Sequence, residues 1–191
     1  MSELQFDPEK HEYRHEGKRL ISVTQALSLV DSRPKDEYFL RRGQLIHLAC
    51  EYYDRDELDE ASVDSEIMPY LNSYRLFLTE TGFTPRWIES RHFHPVYQYA
   101  GTIDRMGTLN GKTVLIDLKS GAPADVDELQ LAAYWGLVKD QITNPLCFDL
   151  YLRDDGGMPK LVEVKRPRIL FETFLAVLKI QRWREEHERH S

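Results

Sequence analysis

Apolar and polar positions change period several times along the chain, and each change marks an element. Leu4 to Ser22 alternate weakly around the turn signal His15-Glu16-Gly17-Lys18, which predicts an N-terminal hairpin. Ser22 or Thr24 then caps a short helix to about Val30. After the break at Ser32-Arg33-Pro34, Lys35 to Tyr53 carries Phe39, Leu45, Leu48, Ala49 and Tyr52 at helical spacing, interrupted by Gly43. A second long helix is predicted over Val63 to Thr81, stopping near Gly82.

The period then shortens. Arg86 to Val96, Tyr99 to Leu109 and Lys112 to Lys119 read as three strands, the last two joined by Asn110-Gly111, a pair suited to a turn with positive φ. Helical spacing returns over Asp125 to Val138. Two strands follow, Leu146 to Leu152 and Leu161 to Val164, with a turn at Asp154 to Gly157, and a charged amphipathic helix runs from Leu170 to His187. This order predicts an α/β fold with an N-terminal hairpin and helical region.

One strand breaks its own pattern. In VLIDLKSG, Asp117 and Lys119 follow an apolar run and share one strand face, roughly 6 to 7 Å apart. If Asn110 and Gly111 are the two turn residues, Leu109 pairs with Lys112 and Asp104 with Asp117. Strands lie about 5 Å apart, so the two carboxylates repel unless a cation sits between them. Hard oxygen donors favour Mg²⁺ or Mn²⁺, and an acid, an acid and a lysine suit phosphodiester hydrolysis. Taken alone, Asp117-x-Lys119 is more often a surface ion pair, and Asp104 is what shifts the balance toward a site.

Composition narrows the classes. A chain of 191 residues with 41% hydrophobic content suffices for one sizeable domain. Cys50 and Cys147 are too far apart in sequence for a closely spaced ligand motif, which argues against a disulfide framework or a zinc site. The absence of a signal-like or membrane-length apolar run predicts a soluble, intracellular, cytoplasmic protein without membrane partners. A net charge of -7 argues against coating nucleic acid by bulk electrostatics, but not against an enzyme with a local basic path. Arg33, Lys35, Arg41 and Arg42 form one candidate path and Lys165, Arg166 and Arg168 a weaker one.

GTIDRMG, VLIDLKSG and LQLAAYW, in that order, resemble the nuclease domain of the PD-(D/E)xK superfamily, in the branch of RecB-type nuclease domains and related phage and mitochondrial exonucleases. The matching positions are Gly101 with Asp104, Asp117 with Lys119, and Gln130 with Tyr134; RRGQLIHLACEYY adds His47, and HEYRHEGKRLISVTQAL adds the hairpin and the Ser-Val-Thr helix start. The resemblance implies an α/β fold with a restriction-endonuclease-like core, a central mixed β-sheet flanked by helices with an N-terminal hairpin and helical region, and one nuclease domain over residues 1–191. Within it, 1–82 would carry His47 and 86–191 the sheet core with the DxK and QxxxY motifs.

The resemblance further implies His47, Asp104, Asp117 and the Leu118 backbone carbonyl as metal ligands, and Asp104, Asp117, Lys119, Gln130 and Tyr134 as the catalytic set. Ser22, Thr24, Arg41 and Arg42 are the DNA-contacting candidates, and Glu51 is a candidate partner of a ligand. Read apart from the family, Tyr134 could simply be packing and Ser22 a helix cap. Glu89, His92 and His94 stay outside the expected site.

The activity so implied is metal-dependent DNA hydrolysis with Mg²⁺ or Mn²⁺, by an exonuclease of repair, recombination or phage replication. The alternatives are a structure-specific endonuclease and a non-catalytic binding module on the same fold. Two separated cysteines cannot hold the four-cysteine iron-sulfur cluster of some members. No phosphate-cradling GxxxxGK[ST] motif is present, so a helicase or recombination partner would be a separate chain.

Overall fold

The computed structural model describes residues 4–8, 10–34 and 36–188. Lys35, a member of the first basic cluster, lies outside them. In chain order the elements are β1 (Gln5–Asp7), β2 (Glu12–His15), β3 (Lys18–Ser22), α1 (Val23–Leu27), α2 (Glu37–Asp54), a 3-10 turn (Glu60–Ser62), α3 (Met68–Thr81), β4 (Thr84–His94), β5 (Tyr99–Leu109), β6 (Lys112–Lys119), α4 (Asp125–Val138), β7 (Leu146–Tyr151), β8 (Lys160–Glu163) and α5 (Pro167–Glu188). The eight strands form one mixed sheet in the order β1-β2-β3-β5-β6-β7-β8, with β4 also paired to β5.

Local chemistry explains most boundaries. The expected hairpin exists as β2 and β3 around Glu16 and Gly17, both at positive φ, and β1 adds a third strand beside β2. Ser22 caps α1, its hydroxyl accepting the Gln25 N–H while the Gln25 side chain accepts the Ser22 N–H. Helix α2 runs unbroken through Gly43, whose hydrogen faces Ser120: a Cβ there would stand 3.6 Å from Ser120 Oγ. Helix α3 starts five residues later than the periodicity predicts, because Pro69 falls in its first turn and the chain before it is spent in turns at Asp59 and Asp64. It ends at Gly82 in the left-handed conformation, as expected. Strand β4 stops at His94, where Pro95 removes a ladder donor, two residues short of the predicted Val96.

Side-chain alternation splits the core into two layers. Leu115 packs with β5, α1, α4 and α5, whereas Val114, Ile116 and Leu118 pack with α2 and α3. The helices therefore cover the sheet from both faces. A smaller cluster of Tyr13, Leu20 and Ala100 seats the N-terminal strands.

Strand β5 organises the middle of the sheet. Strand β4 pairs along its whole length, from Thr84 against Thr108 to His94 against Tyr99. Strands β3 and β6 must therefore share the other edge: β3 runs parallel to β5 at Tyr99 and Ala100, and β6 antiparallel from Leu109 to Arg105. They approach each other end to end and leave Gly101 to Asp104 without a strand partner on that side. The candidate site occupies this gap.

Candidate metal centre

The turn register expected from Asn110-Gly111 holds. Both residues have positive φ, Leu109 pairs with Lys112, and the ladder continues to Arg105 against Ile116. The ladder ends there, one step short of the expected pairing of Asp104 with Asp117; instead of backbone pairing, the Asp104 side chain reaches across, its Oδ2 accepting the Leu118 N–H at 2.7 Å. Asp104 and Asp117 are both buried, at 6% and 2% exposure.

Helix α2 brings His47 over this gap. Its Nδ1 lies 3.6 Å from Asp104 Oδ2 and 3.8 Å from Glu89 Oε1. Its Nε2 lies 3.1 Å from the Leu118 carbonyl. A carbonyl can only accept, so Nε2 carries the hydrogen in that bond and Nδ1 is turned toward the carboxylates. The Leu118 carbonyl, expected as a ligand, thus orients His47. His47, Glu89 and Asp104 each offer one ligand atom, all within 4.8 Å of one another, and they are the one such group among the described residues. Two carboxylates and an imidazole nitrogen are a donor set that fits a hard divalent cation.

The protonation states follow from this crowding. Burial alone would lower the pKa of His47, but Asp104 and Glu89 outweigh it and push His47 up to about 9. Burial raises Asp104 against the opposing pull of His47. Burial would also raise Glu89, yet His47 and Arg105 hold it below the usual carboxylate range. Buried Asp117 is pushed up to about 7, its Lys119 partner only partly compensating for desolvation and for Asp104.

Asp117 stands outside the three-residue group. Its Oδ2 meets Lys119 Nζ, though without hydrogen-bond geometry. Lys119 Nζ also donates to Gln130 Oε1 at 2.9 Å, and Gln130 Nε2 donates to Tyr134 Oη at 3.1 Å. The spacing of four that puts Gln130 and Tyr134 on one face of α4 thereby becomes a relay from β6 to the cleft. Desolvation opposes the charge on Lys119, but Asp117, Asp127 and Asp149 prevail and raise its pKa, so the amine stays an ammonium.

Above these groups opens a cleft of about 490 Å³, lined among others by Tyr13, Phe39, Leu48, His47, Glu89 and Asp104. Gly101 forms part of its wall: a Cβ there would come 2.8 Å from Tyr134 Cε1 and 3.1 Å from Val23 Cγ2, so only glycine lets α1 and α4 close over β5. Tyr134 is 5% exposed and serves both packing and wall. Ser22 and Thr24 line the cleft beside the α1 cap. Glu51 lines it too, while pairing with Arg55 at 2.7 Å. Arg41 is exposed on α2, and Arg42 lies over the rings of Tyr38, Phe39 and Tyr70; neither lines the cleft. Arg33 is bound to Asp31 and Asp127.

Glu89, left outside the expected site, is a member of it, and Arg105 supports it without any signal in the sequence. Glu89 sits in β4 at φ 47, the single positive-φ residue inside any described strand. Arg105, fully buried, donates to Glu89 Oε1 at 3.0 Å and to the Asp104 carbonyl at 2.6 Å, and pairs with Asp54, which also accepts the Tyr74 hydroxyl. Its guanidinium fixes the Glu89 carboxylate from behind. The register that would reveal Glu89 depends on the Pro95–Gln98 connection, which is not a two-residue turn.

No family model matches the chain, and no curated protein does. Solved structures that resemble it include an exonuclease, LHK-Exo, in complex with dAMP, at 16% identity and TM-score 0.43, and the alkaline exonuclease LHK-Exo from Laribacter hongkongensis, at 14% identity and TM-score 0.41. Each alignment covers 90% of this chain and 95% of the other.

Proposed function

We infer that the protein is a metal-dependent nuclease that hydrolyses phosphodiester bonds in DNA, with Mg²⁺ or Mn²⁺ at His47, Glu89 and Asp104. The observation that carries this reading is the convergence of those three donors at the floor of an open cleft, one strand from the Asp117–Lys119 pair. Asp117 stands outside that group but feels the Asp104 charge, which helps to raise its pKa.

A divalent cation bound there would acidify a coordinated water and offset phosphate charge. The protein's own groups do the rest. Hydrolysis would join a water oxygen to phosphorus as the bond to the leaving sugar oxygen breaks, the water proton passing to solvent or to a neighbouring carboxylate and the leaving oxygen taking a proton from solvent. Lys119, held as an ammonium, acts as a hydrogen-bond donor and positive charge for the phosphoryl oxygens, not as a base. Gln130 and Tyr134 hold it in place from α4. Ser22 and Thr24, which also line the cleft, are suited to phosphate oxygens of the strand.

Action from DNA ends, and a place in repair, recombination or phage replication beside a separate helicase or recombination protein, rest on the resemblance of the sequence motifs to the RecB-type branch. Among the described residues no helix is long and apolar enough to cross a membrane.

The test is incubation with end-labelled linear and with circular DNA, in Mg²⁺, Mn²⁺ or chelator, beside Asp117→Ala, Glu89→Ala and Lys119→Ala. Linear DNA should be degraded with metal only, and each variant should lose at least about a hundredfold in rate. Cutting of circles assigns an endonuclease instead. Metal-dependent cutting that survives in all three variants places the site elsewhere, and DNA binding without cutting by the wild type makes the chain a binding module.

A further inference from the structure

The buried carboxylate Asp127 has no place in the proposed hydrolysis, and it does not line the cleft. It nevertheless takes contacts from four segments. Its Oδ2 accepts the Ala124 N–H at the start of α4 and the Tyr151 hydroxyl from β7, each at 3.0 Å. Its Oδ1 accepts Arg33 Nη1 at 2.9 Å from the loop between α1 and α2, and lies 3.5 Å from Lys119 Nζ on β6. Capping a helix needs only the local N–H. Asp127 is 1% exposed, and a carboxyl group so buried needs hydrogen-bond partners for both oxygens, which here come from several sides.

The same contacts define the surroundings of Lys119. Three groups surround the Lys119 ammonium: Gln130 Oε1 accepts a hydrogen bond from it, and the carboxylates of Asp117 and Asp127 pair with its charge. Asp117 draws Nζ toward the metal centre. Gln130 and Asp127, one turn apart on α4, hold it from the other side. Because Asp127 is itself fixed by Tyr151 and Ala124, it cannot follow Lys119 if the lysine swings.

We propose that Asp127 is a positioning residue that sets the location of Lys119 Nζ against Asp117 and so determines how well Lys119 serves the cleavage step. This deepens the nuclease reading and rests on it. The role is indirect: Asp127 touches neither the cleft nor the ligand group, so its removal should change turnover and leave substrate binding alone.

The experiment compares wild type, Asp127→Asn, Lys119→Gln and the double variant in Mn²⁺-dependent cleavage of linear DNA, with thermal melts and a crystal structure of Asp127→Asn. Asp127→Asn keeps the shape and an acceptor oxygen, so the fold should hold. Its kcat should fall about tenfold or more with KM within twofold of wild type, and Lys119 Nζ should be displaced in the crystal. On the Lys119→Gln background the same change should cost nothing further, since both act through one group. Retention of kcat within twofold, losses that multiply in the double variant, or an unmoved Lys119 overturns the proposal. Should Asp127→Asn not fold, Tyr151→Phe deletes a single bond to Asp127, and a two- to fivefold loss in kcat at unchanged KM is the expected result, an unchanged kcat the contrary one. If the wild type cuts nothing with any metal, the nuclease reading falls, and the position of Lys119 in the Asp127→Asn crystal still decides whether Asp127 holds it.

Discussion

His47 is the residue whose chemistry depends most on what fills the site. Without metal, Asp104 and Glu89 keep it charged, with its pKa near 9 against an ordinary value of 6.5. A raised folded-state pKa means that the proton stabilises the metal-free fold fully below about 6.5 and that this contribution is lost as pH rises through about 9. A cation entering at Nδ1 must displace that proton, so binding should release it at neutral pH. Calorimetric titration with Mn²⁺ between about pH 7.5 and 8.5 should then show affinity rising toward tenfold per pH unit, with proton release read from buffers of different ionisation heat. His47→Gln should bind more weakly and lose that part of the slope; an equal slope in both proteins would exclude Nδ1 as the exchanging group. The sequence alone offers His47 as one helical histidine among many possible solvated ones. Its register with Asp117 and Lys119 becomes visible only once β6 delivers the Leu118 carbonyl to Nε2.

At the scale of elements, most of what the sequence makes legible comes from short-range geometry. The Asn110-Gly111 turn fixes β5 against β6, and α4 spans the predicted Asp125 to Val138 because its apolar spacing is uninterrupted. Strand β4 is harder to read for a physical reason. Trp87 and His92 stack with ring centroids 4.9 Å apart, although residues five apart on a regular strand point to opposite faces. The strand is irregular on both sides of Trp87: its register against β5 shifts between Pro85 and Trp87, and Glu89 has a positive φ that costs on the order of 1 kcal/mol or more. No composition signal announces such a kink. Gly101 is legible as part of a motif, but its reason is tertiary: it is the floor on which Tyr134 and Val23 rest. Gly101→Ala should therefore force α1 and α4 off β5, lowering stability by about 1–3 kcal/mol and displacing the Gln130–Tyr134 relay. A melting curve and a cleavage assay check both effects together, and a variant that melts and cuts like wild type would show that the helices yield without consequence.

The whole molecule places a polar site in the middle of a sheet covered on both faces, and that arrangement has to be stabilised from outside the cleft. Hydrophobic content predicts a globular core and says nothing of this support, because a buried Arg105 reads in sequence as one more basic residue in GTIDRMG. In the fold it joins three elements: Asp54 at the end of α2, Glu89 on β4 and its own β5, beneath the Tyr74 ring of α3. With His47, which contributes more, its charge holds the Glu89 pKa down beside Asp104, where two adjacent acids would otherwise share a proton. Removing one partner of a buried pair leaves the other charged and unpaired, at a cost of about 3–5 kcal/mol. Arg105→Met should accordingly lower the melting temperature by on the order of 10 °C. Asp54 and Glu89 would then share no counter-charge behind the sheet, so part of that loss should return in Asp54→Asn/Arg105→Met, where one stranded carboxylate has been neutralised. Metal affinity should stay weak in that double variant, since Glu89 still lacks its cation. Melting temperatures and Mn²⁺ titrations of the three proteins separate the two effects: recovery of affinity along with stability would mean that Arg105 supports the fold alone and does not shape the metal centre.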